Sequence, residues 1–368
     1  IKRNSHYATI EFNKMLGFAP EYKGKNQDKV KIIDYIPANV MQGAINELKN
    51  NKLILVPTET VYGIAANAFS DEACKKIYEA KGRASDNPLI VHVSDKEMLT
   101  EIAEQPNDVE QNLIDAFMPG PFTIILKKKK CICNTASSGL ETIGVRMPSN
   151  SIIHELIKQS RIPIAAPSAN ISGRPSGTNV EDIKAELEDR LDVIIDGGKC
   201  KIGIESTVVK VIDGVPTILR PGFITEDDIY NVIGKVKLSD NLFKKVNENT
   251  KVESPGMKYR HYAPKTKCVL VKRDEQQVNK VNELIHSNEN VCVLGFKEDK
   301  NNIDIDDKDF IELGSINNMQ EISQNVFSSL RKIDKMSKSL AIIEGVEKKD
   351  LGLSIMNRLV RACENIVL

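Results

Sequence analysis

The chain has 368 residues, 41% of them apolar and 28% charged, which is long enough for two domains that each bury a core. Lysine plus arginine equals aspartate plus glutamate at 51 each, and this balance argues against a general basic field for nucleic acid. No apolar run is as long as a membrane span, the N-terminus lacks a signal-peptide core, and seven scattered cysteines are typical of a reducing compartment, so we expect a cytoplasmic protein with no membrane partner.

The first part of the chain carries little information. Residues 1–28 show no pattern that indicates a fold, and we treat them as an N-terminal extension of unknown role. A candidate strand at 30–35 is followed by an amphipathic helix at 38–50. The apolar run at 53–56 then predicts a buried strand, which Pro57 ends.

Polar side chains follow this strand. Residues 57–63 read Pro-Thr-Glu-Thr-Val-Tyr-Gly, which places two threonine hydroxyls and a carboxylate at the carboxyl end of the strand. Ser70 is predicted to cap a helix over 71–79, after which come Lys81 and Arg83. Two cations around a glycine suit an anion-binding corner, although cations at a helix end also stabilise the helix dipole in solvent.

The chain then alternates between strands and helices. The next predicted strand, 89–93, contains His92, and a lone histidine on an apolar strand is more often a core residue than a ligand. Further helices are predicted at 95–103, 108–117, 152–159, 180–191 and 227–233, and further strands at 122–126, 142–148, 162–166, 193–196 and 205–209. A hairpin turn at 213–214 favours a mixed sheet over a purely parallel one.

A long loop of small polar residues, 167–177, interrupts this alternation. It has two interpretations. It is either a flexible surface connection or a segment whose hydroxyls and backbone N–H groups close on phosphate.

The second half of the chain begins with a linker, predicted at 236–266. Its stretch 254–264 is aromatic and basic between two prolines, so we expect a lid over an active site; the alternative is a strap that holds the second domain to the first. Beyond it, strands at 268–271, 291–294 and 340–343 alternate with helices at 276–287, 319–333 and 350–363. This pattern predicts a small Rossmann-like three-layer α/β domain over 267–368, without the glycine fingerprint of a dinucleotide site.

Six short motifs stand in register along the first half of the chain. They are Pro57-Thr-Glu-Thr-Val-Tyr-Gly, Lys81-Gly-Arg with Asn87-Pro-Leu and His92, Pro119-Gly-Pro-Phe-Thr, Val145-Arg-Met-Pro, Ala166-Pro-Ser-Ala-Asn and Ile218-Leu-Arg-Pro-Gly. Together they closely resemble the YrdC family of threonylcarbamoyl-AMP synthases, in the long form that has an additional C-terminal domain. The resemblance implies a YrdC-like α/β domain over 29–235, built on a twisted mixed sheet with helices.

The resemblance also implies a reaction. Threonine and bicarbonate or CO2 would give a carbamate, whose oxygen attacks the α-phosphorus of ATP and releases pyrophosphate. The product, L-threonylcarbamoyl-AMP, would supply a downstream tRNA threonylcarbamoyl transferase that modifies the tRNA adenosine next to the anticodon. The sequence contains no Walker loop, Ser-His-Asp set or catalytic cysteine, which suits a nucleophile that comes from the substrate. Mg²⁺ would arrive with ATP, held mostly by phosphate and water, and no protein ligand is assigned to it.

Site residues follow from the resemblance position by position. Threonine would contact Thr60, His92, Arg146, Ala166 and Ser206, with Arg146 as the bidentate partner of the carboxylate. ATP would contact Lys81, Arg83, Asn87, Thr142, Ser168, Ser176, Arg220 and Tyr262, with Lys81 and Arg83 stabilising charge during the reaction. The choice between Ser206 and Thr207 stays open, because a slip of one residue exchanges the two faces of a strand.

Two other functions remain open at this point. One is an RNA-binding module of YrdC fold without catalysis, with tRNA as its candidate partner; the neutral net charge argues against it. The other is a carbamoyltransferase, because a related fold unit occurs in hydrogenase-maturation proteins. That activity would need acylphosphatase-like and zinc-finger regions, and this sequence has neither.

Overall fold

The structure, a computed structural model, describes residues 38–243 and 261–368. Within them the chain forms two α/β units, one around a ten-stranded sheet and one around a four-stranded sheet. The predicted extension 1–28, the candidate strand at 30–35 and residues 254–260 of the predicted lid lie outside the described residues. None of the described helices combines the length and the apolar character needed to cross a membrane.

The first unit is built from short elements. Its helices are α1 (Ala38–Lys49), α2 (Asp71–Lys81), α3 (Lys96–Ile102), α4 (Asp108–Phe117), α5 (Asn134–Ser137), α6 (Ser151–Ser160), α7 (Val180–Leu187) and α8 (Glu226–Ile233). Its strands are β1 (Ile54–Val56), β2 (Gly63–Asn67), β3 (Ile90–His92), β4 (Phe122–Lys127), β5 (Thr142–Arg146), β6 (Ile164–Ala165), β7 (Val193–Ile194), β8 (Thr207–Ile212), β9 (Val215–Arg220) and β10 (Lys237–Leu238). Most of them lie where the sequence predicts them, with ends that differ by a few residues.

The large sheet is mixed, as the hairpin signal predicts. Its strand order is β10-β9-β8-β4-β5-β3-β6-β2-β1-β7. The central strands β3 and β5 are parallel, whereas β4 with β5 and β3 with β6 are antiparallel. The carboxyl ends of β3 and β5 therefore lie side by side, which places His92 opposite Arg146 in the register.

Helix α2 shows how local sequence positions the cations. Ser70 caps its first turn, with the Ser70 hydroxyl accepting from the Ala73 N–H at 3.2 Å. Gly82 ends the helix in the left-handed region at φ 58°, a conformation that glycine adopts without strain. Lys81 and Arg83 therefore leave the helix in different directions.

The second unit contains three helices and four strands among the described residues. They are β11 (Lys267–Val271), α9 (Gln277–His286), β12 (Val291–Phe296), β13 (Phe310–Gly314), α10 (Met319–Lys335), β14 (Leu340–Glu344) and α11 (Leu351–Ala362). The strand order is β11-β14-β12-β13 and every pair is parallel. Helix α9 covers one face of this sheet and α10 and α11 cover the other, so the three-layer prediction is confirmed.

The two units share a hydrophobic core. The cluster that contains α10 and α11 also includes Val61, Ile204 and Tyr262, which lie beside the polar motifs of the first unit. The second unit therefore packs against the region in which the sequence predicts the active site.

The structure corrects several predictions of local structure. No strand is predicted at 63–67 or 310–314, where β2 and β13 form, and no helix is predicted at 134–137, where α5 forms. Helix α7 ends at Leu187, before the predicted end, and a short 3-10 turn follows. Strand β10 lies inside the predicted linker and pairs with β9.

Candidate active site

A polar cavity lies at the carboxyl ends of the central strands. The residues that line it come from the motif at 57–63, the strands β3 and β5, the loop at 167–177, the turn before β8, the end of β9 and residues 261–262. Predicted site residues in its wall are Thr60, Arg83, His92, Arg146, Ala166, Ser168, Ser206, Arg220 and Tyr262. One cavity therefore brings together all five residues predicted for threonine and four of the eight predicted for ATP.

Arg146 is held in the wall of the cavity by three other residues. Its Nη1 donates to the Thr60 hydroxyl at 2.9 Å, its Nε donates to the Gly120 carbonyl at 3.2 Å, and its Nη2 lies 2.6 Å from Glu59 Oε1. The Glu59 and Arg146 side chains are both buried. This ion pair orients the guanidinium toward the cavity.

His92 is a neutral group in this site. Burial, and then the nearby charge of Arg146, lower the pKa of His92 to about 3. Its Nδ1 has no hydrogen-bond partner among the described residues. An uncharged imidazole with a free nitrogen can form a hydrogen bond with a ligand that lies against Arg146.

The structure distinguishes Ser206 from Thr207. Ser206 lines the cavity, and its hydroxyl lies 2.8 Å from the Thr123 hydroxyl and accepts from Arg220 Nη2 at 3.1 Å. The Thr207 hydroxyl donates to the Ile224 carbonyl at 2.7 Å, outside the cavity. Of the two, Ser206 is the residue that a ligand in the cavity can reach.

Two further arginines, Arg83 and Arg220, also line the cavity. Arg83 donates through Nη2 to the Asn87 and Pro88 carbonyls at 3.0 and 2.9 Å, and Arg220 donates through Nε and Nη2 to the Ser206 carbonyl at 3.1 and 3.0 Å. Burial lowers the pKa of Arg83 to about 10, so its guanidinium is still charged at neutral pH. Fixed guanidinium groups in a partly closed cavity suit the binding of phosphate.

Four predicted site residues do not line the cavity. Lys81 is buried, and its ammonium donates to the Ser168 carbonyl, to the Asn170 carbonyl at 2.8 Å and to the Asn170 side-chain oxygen at 3.3 Å. The Ser176 hydroxyl donates to Glu205 Oε1 at 2.6 Å. Asn87 accepts from Arg83 through its carbonyl, and Thr142 begins β5 opposite Lys127. Their contact with ATP stays a prediction.

The structure also adds residues to which the sequence analysis gives no role. Asn170, Glu205 and His261 line the cavity, and Glu59 pairs with Arg146 in its wall. Glu59 and Asn170 belong to two of the six motifs, so their position in the sequence could have indicated a role in the site. For Glu205 the only signal was a carboxylate at the start of an apolar strand.

Comparison with known proteins identifies the family. The family model Sua5_yciO_yrdC, described as telomere recombination, matches residues 46–222, and the model described as threonylcarbamoyl-AMP synthase, C-terminal domain, matches residues 224–363. The threonylcarbamoyl-AMP synthase of Pyrococcus abyssi is 39% identical over 322 residues, which cover 86% of this chain and 91% of that protein. The chain belongs to the Sua5 family of threonylcarbamoyl-AMP synthases.

Other relatives agree with this membership. The threonylcarbamoyl-AMP synthase of Bacillus subtilis is 38% identical over 318 residues, covering 86% of this chain and 90% of that protein. The crystal structure of P. abyssi Sua5 complexed with L-threonine matches with a TM-score of 0.84 and 37% identity, over 91% of this chain and 97% of that chain. This Sua5-family chain is therefore an enzyme of nucleotidyltransferase type with the C-terminal domain of the predicted long form.

Proposed function

We propose that the protein makes L-threonylcarbamoyl-AMP from L-threonine, bicarbonate or CO2 and ATP, and releases pyrophosphate. One observation carries the proposal. A single cavity joins a corner formed by Thr60, His92 and Arg146 to a corner that contains the cations Arg83 and Arg220. The solved complex of the P. abyssi relative with L-threonine supports the choice of amino acid.

The first corner suits an amino acid. Arg146 binds the carboxylate of threonine through the N–H groups that face the cavity, while Glu59 and Thr60 hold its guanidinium in place. Neutral His92 and the Ser206 hydroxyl offer hydrogen bonds to the threonine hydroxyl. The amine is then free to combine with CO2 and form the carbamate, with loss of one proton.

The second corner suits the triphosphate. A carbamate oxygen attacks the α-phosphorus, the new O–P bond forms, and the bond from the α-phosphorus to pyrophosphate breaks. Arg83 and Arg220 stabilise the negative charge that develops on the phosphate oxygens. The protein supplies no nucleophile, since the attacking oxygen belongs to the carbamate.

Mg²⁺ enters this proposal as part of the ATP substrate. The described residues contain no cluster of three or more histidine, cysteine, aspartate or glutamate side chains that could hold a metal ion. We assign no protein ligand to the ion, which would stay on the phosphates with water as its other ligands. The product then passes to a tRNA threonylcarbamoyl transferase, which modifies the tRNA adenosine next to the anticodon.

The reaction is tested by following pyrophosphate and the adenylate together. We expect pyrophosphate and L-threonylcarbamoyl-AMP, identified by mass spectrometry, to form in equal amounts only when ATP, threonine and bicarbonate are all present. Omission of each substrate in turn is the control. Production of ADP and phosphate at a rate that is indifferent to threonine would overturn the proposal.

A further inference from the structure

A fully buried arginine of the second unit, Arg358 in α11, contacts the wall of the active site. Its Nε donates to Glu205 Oε2 at 3.1 Å, and its Nη2 donates to the Glu205 carbonyl at 3.4 Å. Its Nη1 donates to the Pro221 carbonyl. One side chain of the second unit therefore holds two turns of the first unit, the one before Ser206 and the one after Arg220.

These two turns are packed against each other without spare room. A Cβ added at Gly222 would lie 2.7 Å from the Glu205 carbonyl oxygen and 2.3 Å from the Thr207 nitrogen, so only glycine fits there. Ser354, one turn before Arg358 on α11, donates to the Gly222 carbonyl at 2.7 Å. Close packing at Gly222 therefore fixes the relative position of the two turns, and the hydrogen bond from Ser354 of the second unit stabilises it.

Glu205 connects this contact to the cavity. Its carboxylate lines the cavity and accepts from the Ser176 hydroxyl at 2.6 Å. Burial raises the pKa of Glu205, but the charges of Arg358 and Arg220 outweigh burial, so the pKa is lowered and the group is ionised. The other titratable groups that face it are Tyr262 and Lys81.

We infer that Arg358 is a positioning residue for the nucleotide side of the active site. Through Glu205 and Pro221 it supports Ser206, Arg220 and the carboxylate to which Ser176 donates, while Arg331 of α10 holds the Pro175 and Ser176 carbonyls, so the second unit completes the catalytic site instead of forming an independent binding module. The inference rests on the proposed function, since it takes Arg220 and Ser176 to serve ATP. The contacts of Arg146 with Glu59, Thr60 and Gly120 all lie within the first unit, so among the residues assigned to threonine only Ser206 is supported by Arg358.

The test compares Arg358→Met and Arg358→Lys with Asn357→Ala. Asn357 is the neighbouring residue on α11 and is also buried, but its side-chain nitrogen donates to the Leu242 carbonyl at 2.7 Å, away from the cavity. We expect Arg358→Met to raise the KM for ATP about tenfold or more, and the KM for threonine by at most about threefold. Arg358→Lys restores charge but cannot reach all of the acceptors, so it should recover only part of the loss. Asn357→Ala should change neither KM.

The pH profile separates positioning from a general loss of stability. Without Arg358 the pKa of Glu205 rises, so the acid limb of kcat/KM for ATP should move to higher pH in Arg358→Met and remain in place in Asn357→Ala. Thermal denaturation establishes the folded fraction of each variant, and if Arg358→Met does not fold, Arg358→Lys carries the same comparison, while Glu205→Gln, which has no carboxyl to titrate, should remove the part of the acid limb that Glu205 contributes.

Some results would overturn the role of Arg358, and a different result would overturn the proposed function. The inference is wrong if Arg358 variants raise both KM values equally, if the acid limb does not move, or if Asn357→Ala behaves like Arg358→Met. Calorimetric titration of ATP without threonine gives the same comparison independently of synthesis. If wild-type protein binds ATP but makes no threonylcarbamoyl-AMP, the proposed function fails instead, while the ATP affinities still decide the role of Arg358.

Discussion

At the scale of single residues, the Glu59–Arg146 pair combines a structural and a binding role. Both side chains are buried, and among the described residues neither carboxylate oxygen of Glu59 has a hydrogen-bond partner apart from its 2.6 Å ion contact with Arg146. Removing one member of such a pair leaves a buried charge without compensation, which typically costs about 3–5 kcal/mol. A single substitution at Arg146 therefore changes stability and ligand binding together.

We expect Arg146→Met to weaken threonine binding much more than ATP binding and to lower the free energy of unfolding. The double variant Glu59→Gln/Arg146→Met removes both charges, so it should recover most of the stability without recovering threonine binding. Calorimetric titration and urea denaturation measure the two effects separately. Equal loss of threonine and ATP affinity in the stable double variant would contradict the assignment of Arg146 to threonine.

The buried neutral His92 predicts a pH dependence of stability. Its pKa is about 3 in the folded protein, below the ordinary value of 6.5, so between these values the unfolded state binds a proton that the folded state does not. This contribution is absent above pH 6.5 and destabilises the fold increasingly as the pH falls toward 3. From pH 7 to pH 5 it amounts to about 2 kcal/mol.

We therefore expect His92→Gln to lose less stability than the wild type when the pH is lowered from 7 to 5. Urea denaturation at the two pH values measures the difference. His286 is exposed on α9 and pairs with Asp304 at 3.2 Å, so His286→Gln is a matched control that should keep the wild-type pH dependence. Parallel loss of stability in wild type and His92→Gln would show that His92 is protonated in the folded protein.

At the scale of elements, α2 anchors the small-residue loop at 167–177. All of the contacts of the Lys81 ammonium described above go to Ser168 and Asn170. Burial, and then the charge of Arg83, lower the pKa of Lys81 well below its ordinary value. The same lysine that was predicted to contact ATP thus holds the loop that carries Ser168 into the cavity wall.

Lys81→Met should loosen this loop even when no ligand is present. We expect faster amide hydrogen exchange over 168–174 and weaker ATP binding, because Ser168 loses its fixed position. Lys76→Met is the control: Lys76 lies on the same helix but pairs with Glu72 at 2.6 Å and with the Asn51 carbonyl. If exchange in the loop is unchanged while ATP binding is lost, Lys81 acts by touching ATP instead.

Much of this architecture was predictable because local patterns determine it. The cap at Ser70, the hairpin before β9 and the alternating elements of the second unit carry signals within a few residues of one another. Strand β2 carries no such local signal. Its sequence, Gly-Ile-Ala-Ala-Asn, has little intrinsic strand preference, and the strand is fixed by its pairing with β1 and β6.

The candidate site likewise contains residues that the sequence predicts and contacts that it does not. Motif residues at strand ends, such as His92 and Arg146, could be predicted. The contact between Glu205 and Arg358 joins positions 153 residues apart, so it depends on how the two units pack. Membership of a motif also does not reveal where a side chain points: Lys81 and Ser176 do not line the cavity themselves but donate to residues of its wall, Ser168, Asn170 and Glu205.

At the scale of the whole molecule, residues 261–262 join the cavity to the second unit. Tyr262 lines the cavity, and its ring lies 5.1 Å from the ring of Phe327 on α10. Tyr262 therefore belongs both to the cavity wall and to the packing of the second unit, and the lid at 254–264 stays a prediction, because residues 254–260 lie outside the described residues.

The lid and the strap differ in what they do to the reactive product. A lid excludes water, so its loss should let threonylcarbamoyl-AMP, a mixed anhydride, hydrolyse before release. We expect Tyr262→Ala to raise the ratio of pyrophosphate to intact threonylcarbamoyl-AMP and, because a buried aromatic ring is lost, to cost about 3 kcal/mol of stability. Phe327→Ala removes the partner ring from the second unit without opening the cavity wall. It should cost similar stability while the product ratio stays at the wild-type value. Equal product ratios in Tyr262→Ala, Phe327→Ala and wild type, measured per folded molecule, would leave Tyr262 as a strap and exclude the lid.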